Sequence, residues 1–153
     1  MSREQAFAAR STARLAAVQA LYQMEVSGAS TADVIADFDA GKLPREEAGP
    51  GPGEGDVALF KVLVEGAVDR QRTVDGAIAR RLGKDWKLAR LDAVARAILR
   101  AGVVELEQRA DIPTAVVIDE YVEIAKAFFN GPEPGFVNAT LDACARDLRA
   151  ETA

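Results

Sequence analysis

The chain has 153 residues, 49% hydrophobic and 28% charged, which is enough for one domain with a single core. Its net charge of −5 excludes a protein that attracts nucleic acid over its whole surface, so any anion site must be a local basic patch. It contains no histidine, which excludes Ser-His-Asp and Cys-His catalysis and histidine-ligated zinc sites.

Ser2 and Gln5 predict a capping box that opens a first helix. Phe7, Leu15, Val18, Leu21 and Tyr22 form its broad apolar face. Arg3, Arg10 and Arg14 are spaced by seven and four, so at about 100° per residue they share an arc of roughly 40° at the flank of that face. Ser11 and Thr12 lie between the last two arginines and can donate hydrogen bonds to phosphate or sugar. The same pattern also describes the solvated edge of an ordinary helix. Ser30 and Asp33 predict a second start, and Val34, Ile35 and Phe38 give a short amphipathic helix ending at Gly41. Positions 41–56 are rich in Gly, Pro and Glu and predict a mobile loop. The Gly-Pro-Gly-Pro-Gly-Glu-Gly run at 49–55 reads as linker, because its prolines lack N–H donors for a phosphate.

A helix follows from Asp56 with Phe60, Leu63, Val64, Ala67 and Val68 on one stripe. The pattern resumes, after a bend, at Val74, Ile78 and Leu82. Trp86 sits in a short connection, where a tryptophan serves either as a lid on the core or as a ligand platform. Leu91, Val94, Ala95, Ile98, Leu99, Val103 and Leu106 form the strongest stripe and predict a central helix. Arg90, Arg96 and Arg100 lie off it.

Residues 112–148 read as two helices around an Asn-Gly-Pro-Glu-Pro-Gly break. The first starts near Pro113 and carries Val117, Ile118, Tyr121, Val122 and Ala125. Asn130, Gly131, Pro132 and Pro134 end it. The second starts close to Phe136, with Val137, Leu141, Cys144 and Leu148 on its buried stripe. Phe136 stands at the mouth of the break, where its ring belongs either to the core or to an exposed stacking surface. No strand-period run appears, so the fold class is all-α.

Cys144, the single cysteine, lies on an apolar face and reads as a small buried hydrophobe rather than a reactive thiol. One free cysteine suits a reducing compartment. No run of about 18 apolar residues occurs, which predicts a soluble, cytoplasmic protein. No phosphate-cradling glycine loop is present, and no metal or cofactor motif points to an enzyme.

Several blocks together resemble one family. They are Arg10, Ala13-Arg14 and Ala17 to Tyr22; then Trp86, Arg90-Leu91, Arg96, Ile98 to Arg100 and Glu105-Leu106. Asp111 to Pro113, Glu120, Val122-Glu123, Ala125-Lys126, Phe136 to Asn138 and Leu141-Asp142 complete the set. In this order they resemble the NusB family of bacterial transcription antitermination factors. The resemblance implies a non-enzymatic, single-domain bundle of about seven helices in two packed sub-bundles. It implies binding of single-stranded boxA-type RNA in nascent ribosomal transcripts, together with NusE, a ribosomal protein of the small subunit. It also implies entry into the RNA polymerase antitermination complex, and it is compatible with a homodimer.

Carried over by residue, the resemblance places RNA contacts at Arg10, Ser11, Thr12, Arg14 and Phe136, and Arg3 extends that strip by spacing. The arginines and Phe136 are expected to form one RNA surface. Tyr22, Glu120 and Glu123 are the candidate partner contacts. Tyr22 serves equally as core, and Glu123 with Lys126 equally as a solvated i,i+3 pair. The chain departs from the family pattern at Ser11-Thr12, Ala95, Pro134-Gly135 and Ala139. Two other readings compete. One is a helical protein-interaction module without an RNA role. The other is an accessory domain like those found before some ribosomal RNA cytosine methyltransferases.

Overall fold

The computed structural model describes residues 2–42, 56–83 and 86–150. The chain forms α1 (Arg3–Ser27), α2 (Thr31–Asp39), α3 (Val57–Asp69), α4 (Gln71–Ala79), a 3-10 turn (Leu88–Arg90), α5 (Ala93–Gln108), α6 (Thr114–Phe128) and α7 (Glu133–Leu148). No strand occurs among the described residues, so the architecture is an all-α bundle of seven helices. No described helix is long and apolar enough to cross a membrane.

Local chemistry sets the boundaries. Ser2 and Gln5 exchange hydrogen bonds of 3.1 and 2.8 Å, as do Ser30 and Asp33 at 3.1 and 3.2 Å, so α1 and α2 both open on capping boxes. Gly28 closes α1 with a left-handed φ of 74°, and its N–H donates to the Met24 carbonyl. Asp56 accepts from the Leu59 N–H at 2.9 Å and caps α3. The expected bend after Val68 lies at Arg70, where φ −116° and ψ 27° separate α3 from α4. Of the loop expected at 41–56, Gly41 and Lys42 end α2 and Asp56 caps α3; positions 43–55 lie outside the described residues.

Two expectations shift. α7 begins at Glu133, three residues before Phe136, with Pro134 and Gly135 inside its first turn. A proline is tolerated there because first-turn N–H groups have no intrahelical acceptor. Phe7, Tyr22 and Val68, read from periodicity as apolar-face residues, are exposed at 45%, 40% and 39%.

α5 is the centre, as its stripe predicts. It packs against α1, α3, α4, α6 and α7, and eleven of its sixteen residues are buried. Two glycines permit this crowding. A Cβ on Gly66 would stand 2.6 Å from a Val104 methyl, and one on Gly102 would stand 2.9 Å from both Leu141 methyls. The buried apolar side chains form one cluster running through the bundle.

Cys144 is fully buried, and its thiol lies 3.6 Å from the Ala77 carbonyl. Burial pushes the thiol up from 9.0 to about 11, with Asp147 adding to the rise. The folded value exceeds the unfolded one, so this contribution to stability is complete below pH 9.0 and is lost as pH rises towards about 11. The expected slope is about 1.4 kcal/mol per pH unit inside that window. Urea unfolding followed across it should show a shallower fall for Cys144→Ala than for the parent chain; equal slopes would refute the assignment.

Candidate nucleic-acid interface

α1 runs antiparallel to α5. Arg14 at the middle of α1 meets Glu105 near the end of α5, and Glu25 near the end of α1 meets Arg96 and Arg100 in the first half of α5. α7 runs parallel to α5, since Arg149 just past its end bonds the Leu106 carbonyl. These directions decide which candidate residues can meet.

At one end of the bundle lies the start of α1. Arg3 is exposed, and Arg10, Ser11 and Thr12 are half-buried. Phe7 stands between the arginines on the same face, and Arg3, Glu4, Phe7 and Arg10 line a shallow hollow of about 390 Å³. The turn between α5 and α6 is close by. Arg109 bonds Asp111 at 2.9 and 3.0 Å and holds its carboxylate below the ordinary range, with a smaller attraction from Arg10.

Arg14 does not belong to that surface. It is fully buried, so the phosphate contact expected of it gives way to a role inside the fold. Its Nε and Nη2 donate to Glu105 at 2.9 and 2.7 Å, and its Nη1 donates to Glu120 at 2.8 Å. Glu105 also accepts from the Tyr121 hydroxyl at 2.8 Å, and Ser11 donates to Glu120. Burial opposes the guanidinium charge, but the hydrogen bonds and attraction of Glu105 outweigh it and raise the Arg14 pKa. Burial pushes the Tyr121 hydroxyl well above its ordinary value, with the Glu105 charge adding to the shift. The network therefore joins α1, α5 and α6 through a permanent cation.

The reason is axial position. Arg3, Arg10 and Arg14 share one direction around α1, and Leu21 shares it too. Arg3 stays in solvent because the start of α1 overhangs the bundle: at 1.5 Å per residue its 25 residues span roughly 37 Å, against roughly 24 Å for the 16 of α5. Arg14 lies deeper along the same line and is enclosed.

Phe136 stands at the opposite end, at the start of α7. It is half-buried against the core, and its ring lies 5.4 Å from that of Trp86 at an angle of 36°. Trp86 is 55% exposed and is a lid on Phe136 rather than on the core. The arginines of α1 and Phe136 thus lie toward opposite ends of the bundle rather than side by side.

The end that carries Phe136 also has a groove of about 490 Å³, lined by Val18, Gln19, Tyr22, Val26, Val94 and Phe128 among others. Tyr22, Val26 and Phe128 are exposed at 40%, 62% and 44%. The Gln19 Oε1 is buried and meets no donor. Of the other two partner candidates, Glu120 is engaged by Arg14 and Ser11, while Glu123 is exposed and pairs with Lys126 at 3.0 Å.

Sequence reasoning missed Glu105 as Arg14's partner. A signal was present: Arg14 precedes Ala17, Val18 and Leu21 at helical spacing, and Glu105 follows Ile98, Ala101 and Gly102 the same way. An Arg and a Glu each embedded in an apolar stripe indicate a buried pair.

Residues 11–146 match the NusB family. The chain is 56% identical over 140 residues to the transcription antitermination protein NusB of Caulobacter vibrioides, covering 92% of this chain and 94% of that protein. It is 50% identical over 142 residues to the protein of the same name from Sinorhizobium fredii, covering 93% and 89%. A solved structure of T. maritima NusB is similar with a TM-score of 0.71 and 32% identity, covering 90% of this chain and 91% of that one.

Proposed function

The chain belongs to the NusB family, and from that premise we propose that it is a cytoplasmic transcription antitermination factor. In this reading it binds single-stranded boxA-type RNA together with NusE and enters the RNA polymerase antitermination complex. The observation that carries the RNA half is the start of α1. An acidic protein leaves Arg3 and Arg10 around an exposed Phe7, the combination of cations and ring that single strands use. Arg10, Ser11 and Thr12 supply polar contacts to phosphate and sugar, which fix register. Phe136 provides a base-stacking surface at the far end, so the RNA follows a track along the bundle rather than filling one spot. Arg14 acts as a positioning residue, holding α1 against α5 and α6.

The partner half rests on the groove around Tyr22. An aromatic residue with exposed Val26 and Phe128 beside it and an unsatisfied Gln19 carbonyl suits a protein segment that brings apolar side chains and one donor. Glu123 and the accessible edge of Glu120 add acidic contacts suited to a basic ribosomal protein. A protein that neutralises few phosphates binds RNA weakly alone, which fits a factor that works with such a partner.

Fluorescence anisotropy with boxA RNA and a scrambled control, with and without NusE, tests the reading. Preference for boxA that strengthens with NusE is the expected result; equal binding of both RNAs would leave only an interaction module. With Arg14 buried, two cations at the α1 end contribute a slope of about −1.4 to log K against log salt. Arg3→Ala/Arg10→Ala should therefore flatten the measured slope by about 1.4. An unchanged slope would remove the α1 end from the RNA track.

A further inference from the structure

We infer that Trp86 and Phe136 form a two-ring stacking site for an unpaired RNA base, with Trp86 as its outer, solvent-facing platform. This rests on the RNA-binding reading above and adds to it a residue that no part of that reading requires.

Trp86 is the only tryptophan of the chain, yet 55% of it is exposed. Its position is held from below. The Trp86 N–H donates to the Gly83 carbonyl at 2.9 Å, and its ring lies against Phe136, which is itself packed on the core. The 36° tilt between rings 5.4 Å apart makes an open wedge rather than a closed stack. The 3-10 turn that follows is anchored by Arg96, which donates to the Leu88 carbonyl at 3.1 Å and pairs with Glu25. A large ring on a fixed support, bare on its outer side, costs little entropy to engage.

The surroundings decide between RNA and protein as the occupant. Lys87 follows Trp86 directly and Arg90 lies four residues after it; both are exposed, and neither forms an ion pair among the described residues. Protein interface cores are depleted in lysine, which sets Lys87 against a protein occupant, whereas single-strand sites combine rings with cations. A base stacked on the indole would place its phosphates within reach of these two side chains.

The single tryptophan makes the test direct. The full chain is titrated with fluorescein-labelled single-stranded boxA RNA, in the presence of NusE, and anisotropy and tryptophan emission are read in parallel with a NusE-only blank. Emission should be quenched and should saturate with the anisotropy. Trp86→Ala should weaken RNA binding about 5- to 150-fold, and Trp86→Phe should restore most of it. Circular dichroism and urea midpoints verify that both variants fold. Normal RNA binding with unchanged emission and full affinity in Trp86→Ala would overturn this inference and leave the RNA reading intact. Emission that responds to NusE but not to RNA would assign the surface to the protein partner and overturn it equally. Absence of any RNA binding by the parent chain would overturn both.

Discussion

Arg14→Met is expected to lower the free energy of unfolding by about 3–5 kcal/mol. The methionine fills the space but leaves the Glu105 carboxylate fully buried with only the Tyr121 hydroxyl as partner. An uncompensated buried charge is among the costliest single lesions a core can carry. The pair itself is not a large net source of stability, because desolvating two ions offsets most of their attraction. Hence Arg14→Met/Glu105→Leu/Tyr121→Phe, which removes all three polar groups, should recover most of the loss. Urea unfolding of the single and triple variants checks both halves, and a triple variant no better than the single would contradict the desolvation account. The same triple variant separates two roles for Arg14. If Arg14 met phosphate, the folded triple variant would bind RNA more weakly than the parent; as a positioning residue, its absence from a restored core should leave affinity within about twofold, less than half the 1.4 kcal/mol of a tenfold change.

The elements were legible because several helix starts carry their own chemistry and the apolar stripes mark the rest. Ser2 and Ser30 cap where they were expected to, α3 begins where a helix was expected from Asp56, and the α5 stripe marks the central helix without any tertiary information. Exposure along α1 was not legible in the same way. Periodicity reports direction around a helix but not height along the bundle, so Arg3 and Arg14 look equivalent in sequence and differ completely in solvent. Phe7 and Tyr22 fail for the same reason: both point near the apolar face, and both stand where neighbouring helices do not cover them. The relation of the α1 arginines to Phe136 needed the relative direction of α1, α5 and α7, which no local pattern encodes. Trp86 was placed correctly in a connection, but its contact with Phe136 spans 50 positions and depends on α7 lying parallel to α5.

Arg149 shows the limit most sharply, since the apolar stripe of α7 ends at Leu148 and the next residue looks like a solvated helix end. It is instead a clamp, with four hydrogen bonds among the described residues. Its Nε donates to the Leu106 carbonyl at 2.9 Å, its Nη2 to the Arg109 carbonyl at 2.9 Å, and its Nη1 to the Ile112 carbonyl and the Thr114 hydroxyl at 2.8 and 2.9 Å. Three of these acceptors are carbonyls at or beyond the last turn of α5, which have no intrahelical donor. A cation there also complements the negative end of the helix dipole. Hydrogen bonds from charged donors contribute about 1.5–3 kcal/mol each, but these share one side chain and the carbonyls are partly hydrated once it is gone. Arg149→Ala is therefore expected to cost about 2–4 kcal/mol in total, well below the sum of four. Arg149→Lys should recover less than half, because an ammonium is a point donor and cannot span acceptors on both sides of the turn. Amide exchange sharpens the readout: the Ile112 N–H, bonded to the Arg109 carbonyl at 3.0 Å, should lose protection in both variants, while amides at the far end of α5 change only through global stability. Full recovery by lysine would mean that charge alone, rather than the forked geometry of the guanidinium, holds the turn that faces the arginines of α1.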